Sequence, residues 1–186
     1  INYHPYQPIA PGEVAISTDR DDYEFIEFLN VSGSTLDLTG VRFDAGITFT
    51  FADNTFLPSG QRLLIVRDLA AFLERYPGAD SANIGGVYSG RLSNDGEHIL
   101  LTGPGGTIHD FTYNDQLPWS TAADGAGPSL VLVNPSGDPD HDQAASWTAS
   151  RNPGGSPGTT ESSGVDYASW AATSNVQGGP NDDDDH

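Results

Sequence analysis

The run Tyr23-Glu24-Phe25-Ile26-Glu27-Phe28-Leu29-Asn30 constrains the fold more than any other stretch of the chain. Aromatic and branched side chains fill it. The polar group Ser32-Gly33-Ser34 then separates it from a second apolar pattern, Leu36-Asp37-Leu38-Thr39-Gly40-Val41-Arg42-Phe43. Such side chains suit a pleated, half-buried surface, and Gly, Ser, Asn and Asp supply the turns, so the two runs read as strands of one hairpin. Glu24 and Glu27 form the only close pair of glutamates. Strand positions three apart point to opposite faces, whereas a glycosidase needs two carboxylates across one bond. The remaining reading is a rim carboxylate and a partner for an arginine such as Arg42 or Arg91.

Strand signals recur at 47–51, 62–66, 84–88, 96–101, 107–113 and 129–133, the last convincing one, with turn residues at Asp53-Asn54, Pro58-Ser59-Gly60, Ser93-Asn94-Asp95-Gly96 and Gly103-Pro104-Gly105-Gly106. A strand about every ten residues predicts an antiparallel sandwich or barrel, with the last two turn groups as hairpin turns. One helix interrupts. Asp68 is a good N-cap, Leu69, Phe72, Leu73 and Tyr76 fall on one helical face, and Pro77-Gly78 ends it. Residues 6–22, with Pro8, Pro11 and Gly12, read as a long surface loop. Residues 134–143 are loop, 152–164 resemble a linker, and Tyr167, Trp170 and Ala171 form a short helical pattern.

Charge narrows the partners. Seven cations, all Arg, face 20 Asp and six Glu, for a net charge of −19. Phosphate binding needs a basic face, so nucleic acid and anionic membrane surfaces are unsuitable partners. No spanning run or secretory leader is legible, and Ile1-Asn2-Tyr3-His4-Pro5 reads as a strand already under way. The chain has no Cys and no Met, which removes disulfides, thiolate nucleophiles and zinc–cysteine sites. Absence of Cys is compatible with either redox compartment. The excess of Asp over Glu and the lack of Lys would suit a salty or calcium-rich exterior.

Candidate sites are few. The five His show no HxH or HExxH spacing, Gly-x-Ser-x-Gly is absent, and no glycine run takes a P-loop or dinucleotide form. Aspartates offer oxygen ligands for Ca²⁺. Asp138, Asp140 and Asp142 alternate as at the opening of an EF-hand loop, but Gln143 and Ala149 occupy the positions that need Gly and Glu. Asp19, Asp21 and Asp22 form a second cluster and Asp182 to Asp185 a third. Each also reads as a solvated loop, since Asp bonds local backbone in turns. Trp119 and Trp147 either close the core or stack on a sugar.

The ordered set of motifs resembles the bacterial lamin-tail domain. The resemblance is carried by the two runs from Tyr23 to Phe43, by Phe51-Ala52-Asp53, Leu57-Pro58-Ser59-Gly60 and Leu64-Ile65-Val66-Arg67-Asp68, and by Phe72 and Tyr76. Tyr88-Ser89-Gly90-Arg91-Leu92-Ser93-Asn94-Asp95-Gly96-Glu97, Pro118-Trp119-Ser120-Thr121-Ala122-Ala123-Asp124-Gly125, Gly127-Pro128-Ser129-Leu130, Trp147 and Pro153-Gly154 continue it. It implies an all-β, immunoglobulin-like antiparallel β-sandwich over 1–158 with one short inserted helix. Residues 159–186 would then form a linker, a short C-terminal helix and an acidic tail leading towards calcium-binding repeats. It also implies a noncatalytic module of secreted or cell-surface proteins, for protein interaction, attachment or spacing, meeting a protein or polysaccharide partner. A carbohydrate-binding module is the alternative, and a cryptic hydrolase a third reading.

Overall fold

The structure, a computed structural model, describes residues 1–160. The run after Tyr23 forms β1 (Phe25–Leu29), and its continuous apolar character has a direct cause. Ile26 and Phe28 point into the main core, while Phe25 turns the other way into a second cluster with Leu64, Val66 and Phe72. A strand covered on both faces carries apolar residues on both.

The expected hairpin of β1 with residues 36–43 does not form. β1 pairs antiparallel with β5 (Arg62–Val66), from Phe25 opposite Val66 to Leu29 opposite Arg62. Asn30 redirects the chain. Its buried amide donates to Leu57 O and Ser34 O, both at 2.8 Å, and its Oδ1 accepts from Ser32 N, an Asx-type turn that leads out of the sheet. The chain then enters β2 (Leu36–Asp37), which pairs with β4 (Phe56–Leu57).

β6 (Ile84–Val87) runs parallel to β5, a departure from an all-antiparallel sandwich. Parallel neighbours need a crossover, and α2 (Leu69–Arg75) is part of it. Asp68 caps α2 as expected, accepting from Ala71 N at 2.8 Å. Phe72 is fully buried, and the rings of Phe72 and Tyr76 meet Phe25 edge-on at 5.8 and 5.7 Å. Leu69 is exposed, so the buried stripe is narrower than the periodicity predicts.

The facing layer is antiparallel: β3 (Arg42–Ala45), β7 (Glu97–Gly103) and β8 (Gly106–Tyr113), with the β7–β8 hairpin closing at Gly103 and Gly106 as expected. Ser93–Gly96 is a turn but not a hairpin turn, because β6 and β7 lie in different sheets. Residues 47–51 contribute only isolated bridges, Thr50 to Arg42 and Thr48 to Ser89, because they meet two different neighbours. A further strand follows the expected last one: β9 (Leu130–Leu132) pairs with β10 (Trp147–Ala149). Ile1 and Asn2 stand between β9 and β1. Ile1 exchanges both main-chain bonds with Leu130 at 2.8 Å, and Asn2 N donates to Phe25 O at 2.9 Å.

Residues 6–22 are not simply loop. They hold α1 (Pro11–Ile16) and lead into a 3₁₀ turn at Arg20–Tyr23, giving two short helices among the described residues where one was expected. Arg75 fastens this arm to α2. Its guanidinium lies 4.1 Å from the Tyr6 ring centroid and 3.6 Å from that of Tyr23, and its Nε donates to Glu13 Oε1 at 2.6 Å. The helical pattern at 166–171 and Asp182 to Asp185 lie outside the described residues.

Candidate functional site

Between β1 and β9 lies a groove of ≈ 810 Å³ whose walls and floor include Phe28, Phe43, Phe51, Phe111, Leu130 and Leu132. Val31, Leu36, Ile108 and Val133 also line it and are exposed. Residues 135–141 and 156–160 contribute to its margins. Single exposed apolar side chains need no explanation, whereas several around one concave apolar surface mark a place of contact.

The two strand glutamates do point to opposite faces, and Glu27 is the expected partner of an arginine. Glu24 is no rim group: it is fully buried, and its Oε2 accepts from Tyr88 Oη at 2.8 Å and from Leu92 N at 2.9 Å. Burial pushes its carboxyl up to about 8, against those two bonds, which pull it down; Asp21 adds to the rise and Arg67 opposes it. Glu27 pairs with Arg62 at 2.6 Å rather than with Arg42 or Arg91, because β5 stands beside it, and its Oε2 accepts from Gly158 N. Arg42 meets Asp44 and Arg91 meets Asp21. Glu13 is likewise held internally, by Arg75 and by the N–H groups of Ile9 and Ala10.

Of the aspartates considered for calcium, Asp19, Asp21, Asp22, Asp140 and Asp142 have partners of their own. Asp142 Oδ1 accepts from Thr112 N at 2.7 Å, covering one free N–H of the edge strand β8. Asp140 Oδ1 accepts from Asp142 N at 3.0 Å, and Asp138 adopts a left-handed turn conformation with φ 49°. Asp19 caps the 3₁₀ turn through Asp21 N, Asp22 accepts from Ser17 Oγ, and all three of Asp19, Asp21 and Asp22 lie within 4 Å of Arg67. Among the described residues no three His, Cys, Asp or Glu are grouped so as to hold a metal ion.

Trp119 and Trp147 are core residues, 7% and 9% exposed, and Trp147 also lines the groove. Trp147 lies parallel to Phe111 at 5.7 Å, and its Nε1 donates to His141 O at 2.9 Å. The sequence reading missed the cluster on which this bond closes, where the His141 ring contacts both His109, at 4.5 Å, and Phe111. It missed the groove as well. The cluster joins residues some thirty positions apart, and the groove depends on strand order, so no local pattern signals either one.

Two facing β-layers with one crossover helix define an immunoglobulin-like, all-β domain. The sequence model of the lamin tail domain matches residues 7–115. That match covers more than half of the chain, and the chain belongs to the lamin tail domain family. A search of curated proteins finds no match.

Proposed function

We propose that the chain is a noncatalytic module that makes protein contacts, for attachment or spacing, within a larger secreted or surface protein. The observation that carries this reading is the set of exposed apolar side chains Val31, Leu36, Ile108 and Val133. The buried carboxylates support it from the other direction. Glu13, Asp21 and Glu24 are occupied by internal partners, so none faces a cleft as an acid, base or nucleophile. Placement outside the cell follows from the resemblance described above and suits a lysine-free chain of net charge −19.

A photoreactive phenylalanine analogue in place of Val133, on the groove rim, tests the reading, with the same analogue at exposed Asp80 as control. Native extracellular material is the target. A protein adduct formed at 133 and not at 80 is the expected result. Adducts to polysaccharide alone, or equal labelling at both positions, would overturn it.

A further inference from the structure

We propose that the chain cuts itself once, at the peptide bond between Asp138 and Pro139, with the side-chain carboxyl of Asp138 as the nucleophile. The cut is a single event per chain, without turnover. It goes beyond the contact role proposed above and does not depend on it.

Sequence and backbone single out this bond. Asp138-Pro139 is the one Asp-Pro pair in the chain. Proline has no main-chain N–H, so its nitrogen cannot attack the Asp138 side chain to close a succinimide. The carboxyl is left with the main-chain carbonyl of its own residue as an electrophile. Asp138 stands at φ 49° and ψ 55°. A residue before proline is ordinarily extended, and a residue other than glycine at positive φ is uncommon and costly. Asp138 combines the two. It is held there from both sides. Upstream, Val133 N donates to Ser146 O and Gly137 N to Asn134 O. Downstream, Asp142 Oδ1 accepts from Thr112 N, His141 O accepts from Trp147 Nε1, and the His141 ring rests on His109 and Phe111. Relaxation of Asp138 to the extended form would pull on these anchors.

The carboxyl is also unoccupied. Asp140 and Asp142 each accept a main-chain hydrogen bond, whereas among the described residues none is made to the exposed Asp138 carboxyl.

The reaction balances with water as the only co-reactant. A carboxyl oxygen of Asp138 bonds to the main-chain carbonyl carbon of the same residue, and the carboxyl proton passes to the Pro139 nitrogen. The C–N bond breaks with its electron pair on nitrogen, which leaves as a secondary amine. Asp138 remains as a five-membered cyclic anhydride. Water opens the anhydride and restores the side-chain carboxyl beside a new α-carboxyl, with no change of oxidation state. A carboxylate is an established covalent nucleophile, and attack within one residue makes the step unimolecular. Cleavage also frees Asp138 from its anchors, so the strain of the intact loop favours it. Lysine is absent, so no lysine amine of the chain intercepts the anhydride. The nicked protein should stay assembled, because β10 pairs with β9 and Trp147 is buried in the core.

The test incubates the whole chain for days in mildly acidic buffer, beside the same chain unfolded by urea in that buffer, and follows intact mass. Fragments 1–138 and 139–186 should form at least about tenfold faster from the folded chain. They should travel together on a native column and separate under denaturing conditions. The Asp138→Asn variant, altered at an exposed position, should be cut at least about tenfold more slowly. Hydroxylamine added to the folded chain should leave a hydroxamate on Asp138, the trapped anhydride. Equal rates in buffer and in urea would reduce the cut to the ordinary acid lability of an Asp–Pro bond and overturn the proposal. Cutting of Asp138→Asn at the native rate would assign the cut to a contaminating protease and overturn it as well. Cut chains that never carry the hydroxamate refute the anhydride, and a chain that yields neither fragment refutes the whole.

Discussion

Replacement of Glu24 by Gln tests the energetics of the core directly. A carboxyl in an unfolded chain ionises near pH 4.3, whereas burial lifts Glu24 to about 8 in the fold. Below the lower value both states hold the proton and the group contributes nothing to the pH dependence. Above it the unfolded chain ionises while the folded one does not, so stability falls as pH rises and levels off above about 8. At about 1.4 kcal/mol per unit, the whole loss is about 5 kcal/mol, of which about 4 kcal/mol falls between pH 5 and pH 9. The Glu24→Gln variant keeps the geometry, because both bonds that Glu24 receives end on one oxygen, Oε2, which the amide oxygen replaces. The amide NH₂ then stands where Oε1 has no partner, at a cost of about 1–3 kcal/mol that does not vary with pH. Urea unfolding at constant ionic strength from pH 5 to pH 9 measures both proteins, and every other titrating group cancels in the difference. The stability of the native chain relative to Glu24→Gln should fall by about 4 kcal/mol across that range. A difference constant to within about 1 kcal/mol would show that Glu24 is ionised in the fold and refute the argument.

Three further outcomes are expected. Arg75→Met leaves Glu13 buried without its partner and should cost about 3–5 kcal/mol, while the double variant with Glu13→Gln should recover at least about half; equal losses in denaturant titrations would contradict the pairing. Asp142→Ala uncovers the Thr112 N–H on the edge of β8, with a stability loss of about 1 kcal/mol and increased self-association by light scattering. A chain that stays monomeric at high concentration would show that Asp142 does not guard the edge. Replacing Asp138, Asp140 and Asp142 together by Asn should leave any Tm difference between calcium and chelator unchanged to within about 1 °C; a larger change would place an ion on that loop.

The parts of the fold that were legible in the sequence are those whose signals are local. Asp68 and the Phe72–Tyr76 face define α2 within about ten residues, and Gly103 to Gly106 close a hairpin between neighbouring runs. Pairing across long loops is different. β1 finds β5 because Asn30 turns the chain out of the sheet through bonds to Leu57 and Ser34, and nothing in the two apolar runs themselves opposes a hairpin. The environment of Glu24 is set by Tyr88 and Leu92, 64 and 68 residues away, so its burial could not be read from the strand that carries it. Asp19, Asp140 and Asp142 each accept a bond from a main-chain N–H, which suits the turn reading of those positions. The candidate surface is a property of strand order, which appears only once the sheets are assembled.

The attachments of β1 also decide how the domain carries load. Asn2 is bonded to Phe25, Gly158 to Glu27 and Thr160 to Arg62 opposite Leu29, so all three stand beside the same five-residue strand. Tension applied at Asn2 and Thr160 would pass between neighbouring points on β1 and bypass the facing sheet. As a spacer the module would therefore lengthen a tether by little until it ruptured, and then release most of its contour at once. In an optical trap this predicts a single large extension step, and a staircase of small ones would rule it out.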